Sequence, residues 1–280
     1  MNARAIYDVP APAKLNLFLH VVGRRADGYH CLESAFMLID WCDTLHFELR
    51  TDGRIQRHDL GPKLPENDLC IQAARLIQTA SSSPLGVDIH LDKRIPSQAG
   101  MGGGSSDAAS TLLALNRLWG LGLRSDQLLT LGLQLGADVP FFLFGKNAWV
   151  TGIGEQLEAI ELPRGQFLVV KPAQGLPTAR IFSDLGLRRD SPPAIIFDFV
   201  ENPFNYGRND LQDVALKHCP ELGTALNWLA KAGLQGRMTG SGSALFAPVP
   251  EGWQKDIPKC PFVHRFCENM PSHPLMGWSG

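Results

Sequence analysis

The chain has 280 residues, enough for one large domain or two modest ones, and it is 44% hydrophobic and 19% charged, the balance of a soluble globular protein with a real core. A formal net charge of -2, with scattered basic residues, excludes a strong nucleic-acid field. No apolar run approaches the roughly 20 residues of a membrane span, residues 1–10 lack a signal-peptide pattern, and the six cysteines form no Cys-x-x-Cys pair, so a reduced, cytoplasmic setting is expected.

In chain order, Lys14–Val22 alternates. Leu15, Leu17, Leu19 and Val21 share one face, and Lys14, Asn16, Phe18 and His20 the other. That period of two predicts a half-buried strand, and by pattern alone the face with Lys14 and Asn16 reads as solvated. Asp27-Gly28 is turn chemistry that joins two strands as a hairpin, with Tyr29 and His30 at its exit. Residues 34–41 and 44–50 read as strands, Thr51-Asp52-Gly53 as a second hairpin turn, and 54–58 as its return. Asn67 or Asp68 caps a helix running to Thr79. Val87, Ile89 and Leu91 alternate as a strand that feeds Lys93 and a glycine-rich loop.

That loop is Pro96-Ser97-Gln98-Ala99-Gly100-Met101-Gly102-Gly103-Gly104-Ser105-Ser106-Asp107, and an apolar helical run, 108–119, follows it. Its glycines let a ligand approach the backbone closely. A glycine loop opening a helix is a ready anion site, because free N–H groups and the helix dipole converge there. It is not a Walker A motif, since no lysine follows the last glycine. It is a poor dinucleotide fingerprint, since Pro96 precedes it and no acid-ended strand lies about 20 residues on.

Ser125 caps a second helix that stops at Gly136. Asp138 then sits between that helix end and the apolar run Val139-Pro140-Phe141-Phe142, partly enclosed; it either caps backbone N–H groups or serves chemistry. Residues 148–151 and 167–170 read as strands. From Lys171 the texture changes, which divides the chain into lobes 1–170 and 171–280. Residues 178–185 form a short helix carrying Phe182, 210–218 and 222–232 form helices, and Gly236–Ala247 reads as strand, glycine turn, strand. Residues 263–267 form a last strand and the tail from Pro271 is expected to be loose. Cys260, His264 and Cys267 are close in sequence, but a zinc site needs a fourth ligand and tighter spacing, so they read as strand residues.

Pro96–Ala109 resembles the phosphate-binding motif of the GHMP small-molecule kinases, Ala11–Leu17 their N-terminal motif, and Met238–Ala247 their C-terminal glycine motif. The strings Arg25-Ala26-Asp27-Gly28-Tyr29-His30 and Gly136–Phe142 narrow the resemblance within the family; it covers nearly the whole chain and is weakest over 191–207 and after 248. It implies a two-lobed α/β (α+β) fold with an N-terminal ATP-binding lobe and a C-terminal substrate lobe. It implies ATP and Mg²⁺ as cofactors, and transfer of the γ-phosphoryl group to the 2-hydroxyl of cytidine-diphosphate methylerythritol in non-mevalonate isoprenoid synthesis. The matched positions make Asp138 the catalytic carboxylate and Lys14 its partner. They put Lys93, Pro96, Ser97, Gln98, Ala99, Gly100, Met101, Gly102, Gly103, Gly104, Ser105, Ser106 and Asp107 around ATP, with Asn67 or Asp68 at the adenine. Asn16, Tyr29, His30, Thr178 and Phe182 surround the substrate. Tyr29 and Phe182 suit a sandwich around a cytosine ring and His30 suits its polar edge. Direct metal ligands stay unassigned. A monomer and a homodimer stay open, as do a sister kinase for homoserine, mevalonate or a sugar, and a nucleotide-binding regulator.

Overall fold

The computed structural model describes residues 4–253 and 259–278. Its first element, β1 (Ala5–Arg24), is longer than the alternating stretch that announces it, and it is buried on both faces from Ala11 to Val21. The face carrying Lys14, Asn16 and Phe18 is therefore not solvated, as its pattern suggested. A strand covered on both sides loses the contrast between faces on which periodicity depends. β1 pairs antiparallel with β2 (His30–Arg50) through the Asp27-Gly28 turn. The two strands expected at 34–41 and 44–50 are one element. Between Pro12 and Ala13 the register jumps from Cys42 to Ile39, a bulge that interrupts the pattern without ending the strand.

The second expected hairpin does not form. β3 (Ile55–Asp59) runs parallel to β4 (Gly86–Asp92), and β4 pairs antiparallel with β2, so β4 lies between β2 and β3. Val87, Ile89 and Leu91 are fully apolar and buried, which suits an inner strand. α1 (Leu69–Ser81), capped by the Asp68 carboxylate on Ile71 N–H, makes the crossover that a parallel pair requires.

The first sheet has the order β3-β4-β2-β5-β6, with β5 Ala148–Thr151 and β6 Gln156–Ala159, and β1 on the other edge of β2. α1, α2 (Gly103–Leu118), α3 (Ser125–Leu135) and α4 (Val139–Phe144) share one core with that sheet. The second sheet has the order β10-β7-β9-β8, built from β7 Gln166–Lys171, β8 Arg237–Met238, β9 Leu245–Val249 and β10 Val263–Glu268. The boundary expected after residue 170 falls inside β7, whose neighbours both belong to this second sheet. Of the remaining helices, α5 (Thr178–Ser183), α7 (Gln212–His218) and α8 (Pro220–Lys231) bury residues in a core with it, whereas α6 (Ile196–Glu201) had no sequence signal. A third core, with Leu15, Leu17, Met37, Phe167, Val169 and Phe246, joins the two sheets.

The tail from Pro271 is docked rather than loose. Ser272 bridges to Lys146, His273 donates its N–H to Gly145 O at 2.8 Å, and Leu275 is buried in the first core. An apolar anchor and a paired backbone hold it, and neither is visible as periodicity. All six cysteines are free, and no group of three or more His, Cys, Asp or Glu among the described residues could hold a metal ion. No helix among them is long and apolar enough to cross a membrane.

Candidate active site

The glycine loop is held in place by backbone contacts to two distant segments. Lys14 N–H donates to Met101 O (3.0 Å), Ser243 N–H to Gln98 O (3.2 Å) and Ala244 N–H to Ala99 O (3.1 Å). Asn16 N–H donates to Thr239 Oγ1 at 2.8 Å, tying β1 to the second glycine cluster. The three motifs are thus one assembly, with β1 at its centre.

Gly102 takes a left-handed φ of +68° and opens α2 without a side-chain cap. The helix begins inside the glycines, so Gly103, Gly104 and Ser105 present first-turn N–H groups with no helical acceptor, while Ser106 N–H already bonds Gly102 O. A β-carbon at Gly102 would press on the Phe142 ring at 2.9 Å and on Lys14 Cγ at 3.3 Å. Close approach at this turn therefore needs glycine.

Beneath the helix start lies a buried ion cluster. Lys93 Nζ bonds Asp107 Oδ2 at 2.6 Å and also pairs with Asp43 Oδ2. Asp43 Oδ1 accepts from the backbone N–H groups of Arg94 and Ile95, so this carboxylate also anchors the entry to the loop. Burial favours a neutral amine at Lys93, but Asp107 and Asp43 outweigh it and raise its pKa. Burial raises the pKa of Asp107, Asp43 adds to the effect and Lys93 opposes it. Asp107 Oδ1 and Ser106 Oγ are buried without a hydrogen-bond partner.

Lys14 Nζ lies 3.7 Å from Asp138 Oδ2, donates to Asn16 Oδ1 and sits 4.5 Å from the centre of the Phe36 ring. Lys14 is 4% exposed at its side chain and Asp138 36%, so a buried ammonium meets a carboxylate open to the cleft. Burial lowers the Lys14 pKa, with Asp138 opposing. Asp138 precedes α4 but makes no capping hydrogen bond, which leaves its oxygens free of a structural task.

These groups line one cleft of about 980 Å³. Around it lie Lys14, Asn16, Asp138, Lys93, Asp107, the loop from Pro96 to Ser105, Tyr29, His30, Thr178 and Phe182. Ser106 does not line it; its side chain is buried below the loop. The His30 ring meets Phe182 at 5.2 Å and 35°, and Thr178 Oγ1 shares a 2.8 Å hydrogen bond with Ser241 Oγ. Asn67 and Asp68 both reach the cleft, but Asp68 is occupied by its cap and by Arg57 at 2.6 Å. Sequence reasoning missed Asp43, Thr239 and Arg189. A hydroxyl framed by glycines, Thr239-Gly240-Ser241, is a usable signal; Asp43 and Arg189 have none, because their partners are remote in the chain.

A glycine-opened helix beside a lysine–carboxylate pair in one cleft, on two sheets joined by a common core, defines the architecture of a small-molecule kinase. The family models "GHMP kinases N terminal domain" and "GHMP kinases C terminal" match residues 68–146 and 200–256. The fold is shared with a homoserine kinase from Cytophaga hutchinsonii at a TM-score of 0.71 and 14% identity, covering 97% of this chain and 96% of that one. At the level of sequence, the chain is 60% identical to the 4-diphosphocytidyl-2-C-methyl-D-erythritol kinase of Albidiferax ferrireducens, over 99% of this chain and 96% of that protein. It is 59% identical to the kinase of the same name from a Polaromonas species, over 98% and 94%. A crystal structure of a 4-(cytidine 5'-diphospho)-2C-methyl-D-erythritol kinase matches with a TM-score of 0.78 and 33% identity, covering 93% of this chain and 98% of that one. The chain belongs to the 4-diphosphocytidyl-2-C-methyl-D-erythritol kinase family, within the GHMP kinases.

Proposed function

We infer that this chain transfers the γ-phosphoryl group of ATP to the 2-hydroxyl of 4-diphosphocytidyl-2-C-methyl-D-erythritol, a step of isoprenoid precursor synthesis. The observation that carries the reading is the Lys14–Asp138 pair, 3.7 Å apart in the same cleft as the open N-terminus of α2. The substrate hydroxyl gives its proton to an Asp138 oxygen as its own oxygen bonds the γ-phosphorus. The bond from that phosphorus to the bridging oxygen breaks, and ADP leaves with the electron pair. The Lys14 ammonium offsets charge on the transferring group. The N–H groups of Gly103, Gly104 and Ser105 receive phosphate oxygens of ATP.

Mg²⁺ binds through one or two carboxylates and the phosphates themselves, and the oxygen donors here fit that demand. Asp107 lines the cleft and has a buried Oδ1 without a hydrogen-bond partner, and Ser105 lies two residues before it. These two residues would hold the ion, which when bound neutralises phosphate charge. Asn67 suits the adenine better than Asp68, whose carboxylate is engaged. At the far end, Tyr29 and Phe182 take the cytosine between them, His30 meets its edge, and Asn16 and Thr178 face the rest of the substrate.

An ATP-coupled assay tests the reading across this substrate, homoserine and mevalonate. Turnover of the cytidine-diphosphate substrate should exceed the others by orders of magnitude. Faster turnover of homoserine or mevalonate would refute it.

A further inference from the structure

His30 has a partner whose chemistry leaves only one choice of ring proton. Arg189 donates its Nε–H to His30 Nε2 at 3.0 Å. The same guanidinium is pinned by three carbonyls: Leu187 O at 2.9 Å, Asp184 O at 2.8 Å and Phe182 O at 3.4 Å. A guanidinium donates and never accepts. His30 Nε2 must therefore offer its lone pair, and the single proton of the neutral ring sits on Nδ1. Nδ1 has no partner among the described residues and is not one of the sealed, unpartnered atoms, and the ring lines the cleft. Burial first, then the charges of Arg189 and Arg24, lower the His30 pKa, so the ring resists taking a second proton.

We propose that Arg189 is a positioning residue that locks His30 as its Nδ1–H tautomer, so that the cleft presents a hydrogen-bond donor to the base and selects cytosine over uracil. Cytosine offers acceptors at N3 and O2, whereas uracil carries a proton on N3. O2 accepts on both bases, so the discrimination lies at N3: a donor fixed there pairs with cytosine and meets another donor on uracil, leaving two polar groups unpaired. Arg189 also holds the Phe182 carbonyl, so one side chain sets both the ring that reads the base edge and the helix that carries its stacking partner. The base-selection half of this proposal rests on the substrate reading above; the tautomer half does not.

Long-range ¹H–¹⁵N correlation spectra of the full chain, labelled at histidine and recorded without ligand, read the tautomer directly, with His30→Asn assigning the signal. Wild type should show a protonated Nδ1 and an unprotonated Nε2 at His30. In Arg189→Met the Nε2–H form should become the major one. Arg189→Lys, which keeps a cationic donor, should restore part of the wild-type pattern. In turnover assays, Arg189→Met should raise KM for the cytidine-diphosphate substrate about 10-fold or more, and change it more than kcat. The preference over the uridine analogue should narrow by about 10-fold. A wild-type His30 protonated on Nε2 overturns the proposal, as does an Arg189→Met protein with unchanged tautomer and unchanged preference. If the cytidine-diphosphate substrate is not turned over by wild type, the substrate reading and base selection fall together, and the spectra still decide the tautomer.

Discussion

The carbonyl oxygen of Thr239 occupies the space a β-carbon on Gly100 would need: the two atoms would be 2.3 Å apart. The contact is reciprocal, since a β-carbon on Gly240 would lie 2.5 Å from Gly100 O. Both glycines have left-handed φ, +72° and +53°. The glycine loop and the second glycine cluster thus pack backbone against backbone, with no side chain between them.

Gly100→Ala should destabilise the protein by about 3 kcal/mol, combining left-handed strain with a backbone clash that no rotamer can relieve. It should also raise KM for ATP. Gly122→Ala is the control: φ is +64° but nothing lies within 4 Å, so only the strain of about 1 kcal/mol remains. Urea midpoints of the two variants separate these contributions; equal midpoints would show that the loop gives way.

Asp138→Asn should lower kcat by about 10²-fold or more, with little change in thermal midpoint. The side chain is open to the cleft and caps nothing, so its structural share is small. Lys14→Met should also abolish most turnover at a modest cost in stability, because the relief of losing a buried ammonium is set against the donor that the buried Asn16 Oδ1 loses.

The alkaline limb of the wild-type pH–rate profile should fall below the ordinary lysine value of 10.5, since burial lowers the Lys14 pKa and loss of its proton removes the charge beside Asp138. In Lys14→Arg that limb should disappear from the accessible range, because guanidinium does not titrate there. Steady-state rates from pH 6 to about 10.5 check it, and an unchanged limb in the arginine variant would point to a different group.

His273 should govern part of the acid sensitivity of the fold. Burial drops its pKa to about 4, against 6.5 for an exposed imidazole, and its Nε2 is sealed without a partner. Between those values the unfolded chain binds a proton that the folded chain refuses. Stability is therefore full above pH 6.5, is lost as pH falls toward 4, and drops no further from this cause below that. The loss amounts to about 3 kcal/mol. His273→Asn keeps an acceptor for the Leu275 N–H, which bonds His273 Nδ1 at 3.1 Å. Denaturant titrations at pH 7, 5 and 4 should show a flatter acid limb in this variant.

Much of the site is legible in the chain because its chemistry is local. A helix start made of glycines, an Asp-Gly turn followed by Tyr29-His30, and an aspartate before a proline-marked apolar run each announce themselves within a few residues. Strand order is less legible. The placing of β3 beside β4 rather than β2 depends on which strand is buried on both sides, and a local turn signal at 51–53 cannot report that. The double burial of β1 is hidden for the same reason: Lys14 and Asn16 look like surface residues until Asp138, Phe36, Ser34 and Thr239 are brought against them.

The sequence by itself determined where a glycine-opened helix start lies and which residue types flank it, because backbone freedom and free N–H groups at a helix start are properties of a short stretch. Only the tertiary structure decided which charges meet. Asp43 joins Lys93, Arg189 joins His30 and Lys14 joins Asp138 across long separations in the chain. An ion pair or a tautomer is set by atoms within about 4 Å, and which atoms come that close follows from how the two sheets pack on their common core.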